Sequence, residues 1–98
     1  MTIVGDGMQR RDYTHVQDVV SANIKIIDNN LNGFETFNVG TGINYSVLEI
    51  AEMIGGSYEF IPKRKGEAKE TLADISKINK MLNWNPSIMI KDWIKKKI

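Results

Sequence analysis

An α/β fold is predicted for this chain by two observations: apolar runs of β type alternate with stretches of helical period, and glycine turns separate them. No internal repeat breaks that alternation. The expected order is strand, helix, strand, helix, strand, charged loop, helix, helix. With 98 residues, one domain over 1–98 is expected.

Each element has a local cause. Met1 to Val4 is a short β-type run stopped by Gly5-Asp6-Gly7. From Val16 the apolar residues Val16, Val19, Val20, Ile24 and Ile27 keep helical spacing to about Asp28, with Asn29-Asn30 and Gly33 as stop signals. Phe34 to Val39 reads as a strand ending at Gly40-Thr41-Gly42. Ser46-Val47-Leu48-Glu49 is a capping box, in which the Ser and Glu side chains satisfy each other's exposed amides. The helix it opens runs to about Ile54, where Gly55-Gly56 ends it.

Ser57 to Ile61 alternates weakly and reads as a strand, and Pro62 bars its continuation inside a sheet. Lys63-Arg64-Lys65-Gly66-Glu67-Ala68-Lys69-Glu70 has no apolar face and is expected to be a loop. Asp74 is placed to cap a helix whose stripe Ile75, Ile78, Met81 and Leu82 ends at Asn83, with Pro86 beyond it. A last amphipathic segment, about Ile90 to Ile98, sets Lys95-Lys96-Lys97 against a helix C-terminal dipole.

Composition excludes several classes of function. The 13 Lys and Arg against 12 Asp and Glu leave a formal net charge of +1, which fits neither a basic nucleic-acid binder nor an acidic tail. Apolar residues at 42% and charged residues at 26% are enough for a packed core. For this mass about 65% of the unfolded surface is buried on folding, so modest stability is expected. Absence of cysteine removes disulfides, thiol nucleophiles and iron–sulfur sites, and His15 alone does not make a zinc site. No apolar run approaches the roughly 20 residues of a membrane span, and the opening MTIVGDGMQR lacks the order of a signal peptide. A soluble, cytoplasmic protein with no membrane partner is expected. The length also falls short of a complete doubly wound dinucleotide enzyme.

Candidate chemistry is sparse. Phe37-Asn38-Val39-Gly40-Thr41-Gly42 invites comparison with a dinucleotide loop, yet Tyr45 holds the third glycine position and would obstruct both helix packing and cofactor. A plain strand-to-helix turn is the better reading, and no Walker lysine follows either glycine pair. His15 has no sequence-level nucleophile and reads as a structural hydrogen-bonding residue. Trp84 reads as a core plug, and Lys95–Lys97 as a solvated helix end.

Arg11 follows the first glycine turn, and Arg64 lies in the charged loop after a strand, where guanidinium forks can meet phosphate oxygens. Glu67, three residues on, is an acceptor suited to sugar hydroxyls. On composition alone, surface salt bridging outweighs a ligand contact for these three.

Five blocks change that balance. Gly5-Asp6-Gly7-Met8-Gln9-Arg10-Arg11-Asp12-Tyr13-Thr14-His15-Val16-Gln17-Asp18-Val19-Val20 resembles the segment GDGxQxRDFxxVxDVV of the extended short-chain dehydrogenase/reductase family, the nucleotide-sugar epimerases and dehydratases. Phe37 to Gly42 with the Ser46 helix, Arg64-Lys65-Gly66-Glu67, Leu72-Ala73-Asp74-Ile75-Ser76-Lys77 and Leu82-Asn83-Trp84-Asn85-Pro86 recur in the family's order and at similar spacing. Together they cover about residues 3 to 94.

The resemblance implies the small C-terminal substrate-binding part of an extended Rossmann-type epimerase/dehydratase, with the cofactor half missing. Its ligand would be a nucleoside-diphosphate sugar, a UDP-sugar foremost. Arg11 matches an arginine that contacts the nucleotide's phosphates or ribose, Arg64 the arginine that clamps the diphosphate, and Glu67 the acidic residue near the ribose hydroxyls. In the family NAD takes the sugar's hydride and returns it. The glycine-rich cofactor loop and the Tyr-x-x-x-Lys pair that this requires lie upstream of the matched region and do not occur in the chain. NAD is therefore implied for the complete enzyme and not for this chain.

Lys65 stands where the family usually has proline, Met89 where it has a Ser or Thr cap, and Trp93 where it has a small residue. In the family the first helix and the Phe34 to Val39 strand belong partly to the cofactor domain's sheet. Alone they would leave an unpaired edge that invites a separate N-terminal NAD-binding chain or a second copy. Two readings follow: one part of a truncated or split enzyme, inactive alone, or an oligomerisation module without ligand.

Overall fold

Eight short elements follow one another in the chain: β1 (Thr2–Val4), β2 (Arg10–Arg11), α1 (Val16–Asp28), β3 (Tyr45–Ser46), α2 (Val47–Ile54), β4 (Glu59–Ile61), α3 (Ser76–Leu82) and α4 (Ile90–Lys97). The computed structural model describes residues 1–29, 33 and 35–97. Asn30, Phe34 and Ile98 fall outside them, and with them the helix stop, strand start and helix end expected there.

The mixed α/β class is as expected, but the strands form two separate pairs. β1 and β4 are parallel, with Ile3 opposite Phe60. β2 and β3 are antiparallel, with Arg11 opposite Tyr45. This second pair has only two residues per strand, too short to leave a period in the sequence. The capping box is present in full: Ser46 Oγ accepts from Glu49 N at 3.0 Å, and Glu49 Oε1 accepts from Ser46 N at 3.1 Å. Ile75 takes the N-cap position of α3, and Asp74 accepts from Ser76 N at 3.0 Å one residue earlier than a standard cap. Asn83 closes α3 in the left-handed region at φ 53°.

The expected strand from Phe34 to Val39 does not form over 35–39. A strand exists only through a ladder with a neighbour, and none of the described strands pairs with this segment. It instead lays Phe37 and Val39 against a core of Ala22, Ile78, Leu82 and Trp84. Trp84 is buried there, and its Nε1 donates to Ser21 Oγ at 2.9 Å, so the plug reading holds. Ile3 and Ala51 are buried separately, under the β1–β4 pair and in α2.

Helix α1 has the expected bounds. Its most apolar stripe is solvent-exposed: Val16 at 68%, Val20 at 50%, Ile24 at 52% and Ile27 at 75%. The helix docks through Asp18, Ala22 and Ile26, about 200° around from Val16 and its successors at 100° per residue. The radius of gyration, 16.1 Å, exceeds the roughly 13 Å of a globular 100-residue domain, as two small cores and one bare helix face require.

Asp18 shows what replaces apolar packing. At 2% exposure its carboxylate accepts from Ser87 N (3.1 Å), Ser87 Oγ (2.9 Å) and Ile88 N (3.0 Å), which pins the segment after Trp84 to α1. Asp18→Ala leaves those part-buried donors without their acceptor. A loss of roughly 3 kcal/mol in urea-denaturation stability is expected, with Asp18→Asn intermediate.

Candidate functional site

Neighbouring residues on a strand point to opposite sides, so Arg10 and Arg11 part company on β2. Arg10 turns to α2 and its approach: Nη1 donates to Glu49 Oε1 at 2.8 Å, Nε to Asn44 Oδ1 at 3.0 Å and Nη2 to Asn44 O at 3.1 Å. Bonds from Ser46, with a smaller contribution from Arg10, hold the Glu49 carboxyl below its ordinary value. Arg11 turns to the charged stretch. Its Nη2 meets Glu67 Oε1 at 3.4 Å, while Nη1 donates to Arg10 O at 2.8 Å. Burial raises the neighbouring Tyr13 phenol, and the Arg11 charge acts against that rise.

Asp12, next in the chain, gathers donors from two other segments. Its carboxylate accepts from Thr41 N (3.0 Å), Thr41 Oγ1 (2.6 Å), Gly42 N (3.0 Å) and Ala73 N (3.3 Å). Burial alone would raise its pKa, but the Thr41, Gly42 and Ala73 bonds outweigh it and hold the carboxyl below its usual value. Gly40 lets the turn come this close, since a Cβ there would lie 2.5 Å from Ala73 Cβ and 2.9 Å from Asp12 Oδ2. The Gly40-Thr41-Gly42 turn is thus an anion cradle filled by the protein's own carboxylate, and its amides are not free for a cofactor pyrophosphate.

The charged stretch is a loop over its first half only. Arg10 N donates to Lys69 O at 2.8 Å and Thr71 N to Arg10 O at 3.0 Å, giving a bridge between Arg10 and Glu70. Asp12 N reaches Thr71 Oγ1 at 3.2 Å, and Asn44 Nδ2 reaches Glu70 Oε2 at 3.0 Å. Between this anchored strap and the first glycine turn opens a cleft of about 440 Å³. Gly5, Met8 and Gln9 form one wall, and Lys63, Glu67 and Lys69 the other.

Of the three residues singled out from the sequence, the structure brings Arg11 and Glu67 together and leaves Arg64 apart. Arg64 is exposed near the loop tip, outside the cleft lining, and makes no ion pair among the described residues. Lys63 and Lys69 are the cleft residues that motif reading passed over. Lys69 lies four residues before Ala73, which the strap carries back to Asp12. His15 has the structural role expected of it: its Nδ1 accepts from Gln17 N at 3.0 Å and caps α1. No cluster of metal ligands occurs among the described residues, and no helix there is long and apolar enough to cross a membrane.

The GDP-mannose 4,6 dehydratase family profile matches residues 1–97. The chain belongs to the extended short-chain dehydrogenase/reductase family of NAD-dependent nucleotide-sugar epimerases and dehydratases. It is 36% identical to the UDP-glucuronate 4-epimerase of Thermodesulfobacterium geofontis over 98% of its own length and 31% of that protein. It superposes on the UDP-glucose 4-epimerase of Thermotoga maritima, solved with UDP-glucose, with a TM-score of 0.87 at 31% identity. That match covers 97% of this chain and 32% of the epimerase. The Bifidobacterium longum UDP-glucose 4-epimerase, solved with NAD+ and UDP, gives 0.85 at 32% identity, over 95% and 32%. The chain therefore spans about a third of the length of these relatives.

Asp12 and Asp18 both titrate below their ordinary value, which sets the acid limit of this epimerase-like fold. A depressed folded-state pKa contributes stability that is complete above the unfolded value of about 3.9 and is lost as pH falls through the folded one. Acid unfolding followed by circular dichroism should steepen below about pH 4. Asp12→Asn should flatten that limb while lowering stability at neutral pH.

Proposed function

We propose that the chain is the nucleotide-sugar-binding part of an NAD-dependent NDP-sugar epimerase or dehydratase, with a UDP-sugar as ligand. The observation that carries this reading is the Arg11–Glu67 pair, whose Glu67 lines the cleft, at positions that match the family's nucleotide contacts. A partly exposed pair of this kind is worth only about 0–1 kcal/mol, so a ligand can displace it at little cost. Arg11 then offers its fork to phosphate or ribose oxygens and Glu67 accepts from ribose hydroxyls, while Arg64 adds a contact from the loop tip.

NAD supplies transient hydride acceptance in the family. The glycine turn of this chain does not suit it, because Tyr45 and the Asp12-filled cradle take the space and the amides that a pyrophosphate needs. We assign NAD to a part equivalent to the two thirds of the relatives that this chain does not match. Its docking surface is the bare stripe Val16, Val20, Ile24 and Ile27, beside the unpaired segment 35–39.

Two measurements test this. Calorimetric titration of the chain with UDP and UDP-glucose should show binding that Arg11→Ala weakens tenfold to a hundredfold, the loss of a charged hydrogen bond of about 1.5–3 kcal/mol. Absence of binding by every nucleotide sugar tried would remove the ligand-site reading.

The first two thirds of the Thermodesulfobacterium geofontis epimerase should co-elute with the chain in size-exclusion chromatography. Ile24→Lys with Ile27→Lys should abolish that complex without unfolding the chain, since both side chains are exposed. A concentration-dependent dimer of the chain alone, lost in the same variant, would instead assign the stripe to a second copy.

A further inference from the structure

We infer that Arg10 is a positioning residue of the nucleotide site: its side chain fixes the stretch of β2 backbone that aims the Arg11 guanidinium. The inference rests on the nucleotide-sugar reading above and adds to it a residue outside the cleft lining. Arg10 falls at a position that the GDGxQxRDF segment leaves open, so the motif gives it no role. Its backbone is a junction. The N–H donates to Lys69 O at 2.8 Å, and the carbonyl accepts both from Thr71 N at 3.0 Å and from Arg11 Nη1 at 2.8 Å. One carbonyl thus ties the strap and one end of the Arg11 fork to the same point, and with Nη1 held there Nη2 is turned to Glu67 Oε1 at 3.4 Å.

That junction has little ladder to hold it. Arg10 stands between Ser46 on one side and Glu70 on the other, but β2 and β3 have two residues each. A pairing so short is marginal by itself. The Arg10 side chain supplies the anchor, because all three nitrogens of its guanidinium are engaged: Nη1 with Glu49 Oε1 at 2.8 Å, Nε with Asn44 Oδ1 at 3.0 Å and Nη2 with Asn44 O at 3.1 Å. Glu49 is in turn fixed by the capping box of α2, so the junction is fastened to the first turn of a helix. Asn44, oriented by the same guanidinium, passes its Nδ2 across to Glu70 Oε2 at 3.0 Å and Thr71 O at 3.2 Å. The strap is therefore gripped by the Arg10 backbone directly and by the Arg10 side chain through Asn44. Without that side chain β2 loses its hold on α2, and the carbonyl that steers Arg11 moves with it. A binding constellation keeps its contacts only when held within about 0.5 Å.

The test is a double-mutant cycle read by calorimetric titration of the full chain with UDP, in wild type, Arg10→Ala, Arg11→Ala and the double variant, with urea denaturation of each. Arg10→Ala should weaken UDP binding about fivefold, while the denaturation midpoint moves only as far as the loss of a part-exposed ion pair requires. In the Arg11→Ala background the same replacement should change the Kd by less than about twofold, since the group it aims is gone. Arg10→Lys keeps a charge facing Glu49 and loses the fork on Asn44, so it should recover part of the affinity and no more. Should Arg10→Ala not fold, the cycle is run with Arg10→Lys, whose smaller loss should likewise vanish beside Arg11→Ala. Equal losses in the two backgrounds would leave Arg10 a role in folding alone and overturn the inference. So would an Arg10→Ala chain that binds UDP like wild type, and in both cases the nucleotide-sugar reading stands. A wild-type chain that binds no UDP overturns that reading and the inference with it.

Discussion

The Asp12 carboxylate is the point on which the functional end of this molecule depends. It lies one residue beyond Arg11 and receives donors from Thr41, Gly42 and Ala73, so it joins β2, the glycine turn and the strap that carries Glu67 and Lys69. A side chain in the middle of such a network cannot move without freeing the Thr41, Gly42 and Ala73 amides at once, of which the buried Thr41 amide alone costs about 1–3 kcal/mol. Arg11 and the strap are therefore held in one register through their neighbours. The same network explains why a turn with the look of a phosphate loop is not one: its amides already face an anion supplied by the protein.

Polar clamps of this kind carry weight because the apolar cores are small. Ala22, Ile78, Leu82 and Trp84 form one, and β1 with Ile3 packs elsewhere. Asp18 does for the C-terminal segment what Asp12 does for the strap, by taking amides from Ser87 and Ile88. Helix α1 buries its narrow Asp18–Ala22–Ile26 side and leaves its broad apolar side bare.

What could be read from the sequence was what is local. The Ser46–Glu49 box, the bounds of α1 and the stop at Asn83 rest on residues within a turn of one another, and all three are present. The strand over Phe34 to Val39 and the inward face of α1 were not legible, because a β-type run does not name its partner strand and a helical period does not say which face is covered. Arg11 and Glu67 were singled out through family motifs, and the structure brings them together. Arg10 and Asp12 were not, although β alternation alone sends Arg10 and Arg11 apart, because nothing local says that Asn44, Thr41 and Ala73 wait on the other side.

A net charge of +1 is compatible with an anion site because the charges are not interchangeable. Arg10 is spent on Glu49 and Asn44, and Lys77 on Glu35 at 2.8 Å, so these cations build the fold and lend little field to the cleft. Arg11 differs from both, since its one ion pair among the described residues, with Glu67, is long at 3.4 Å.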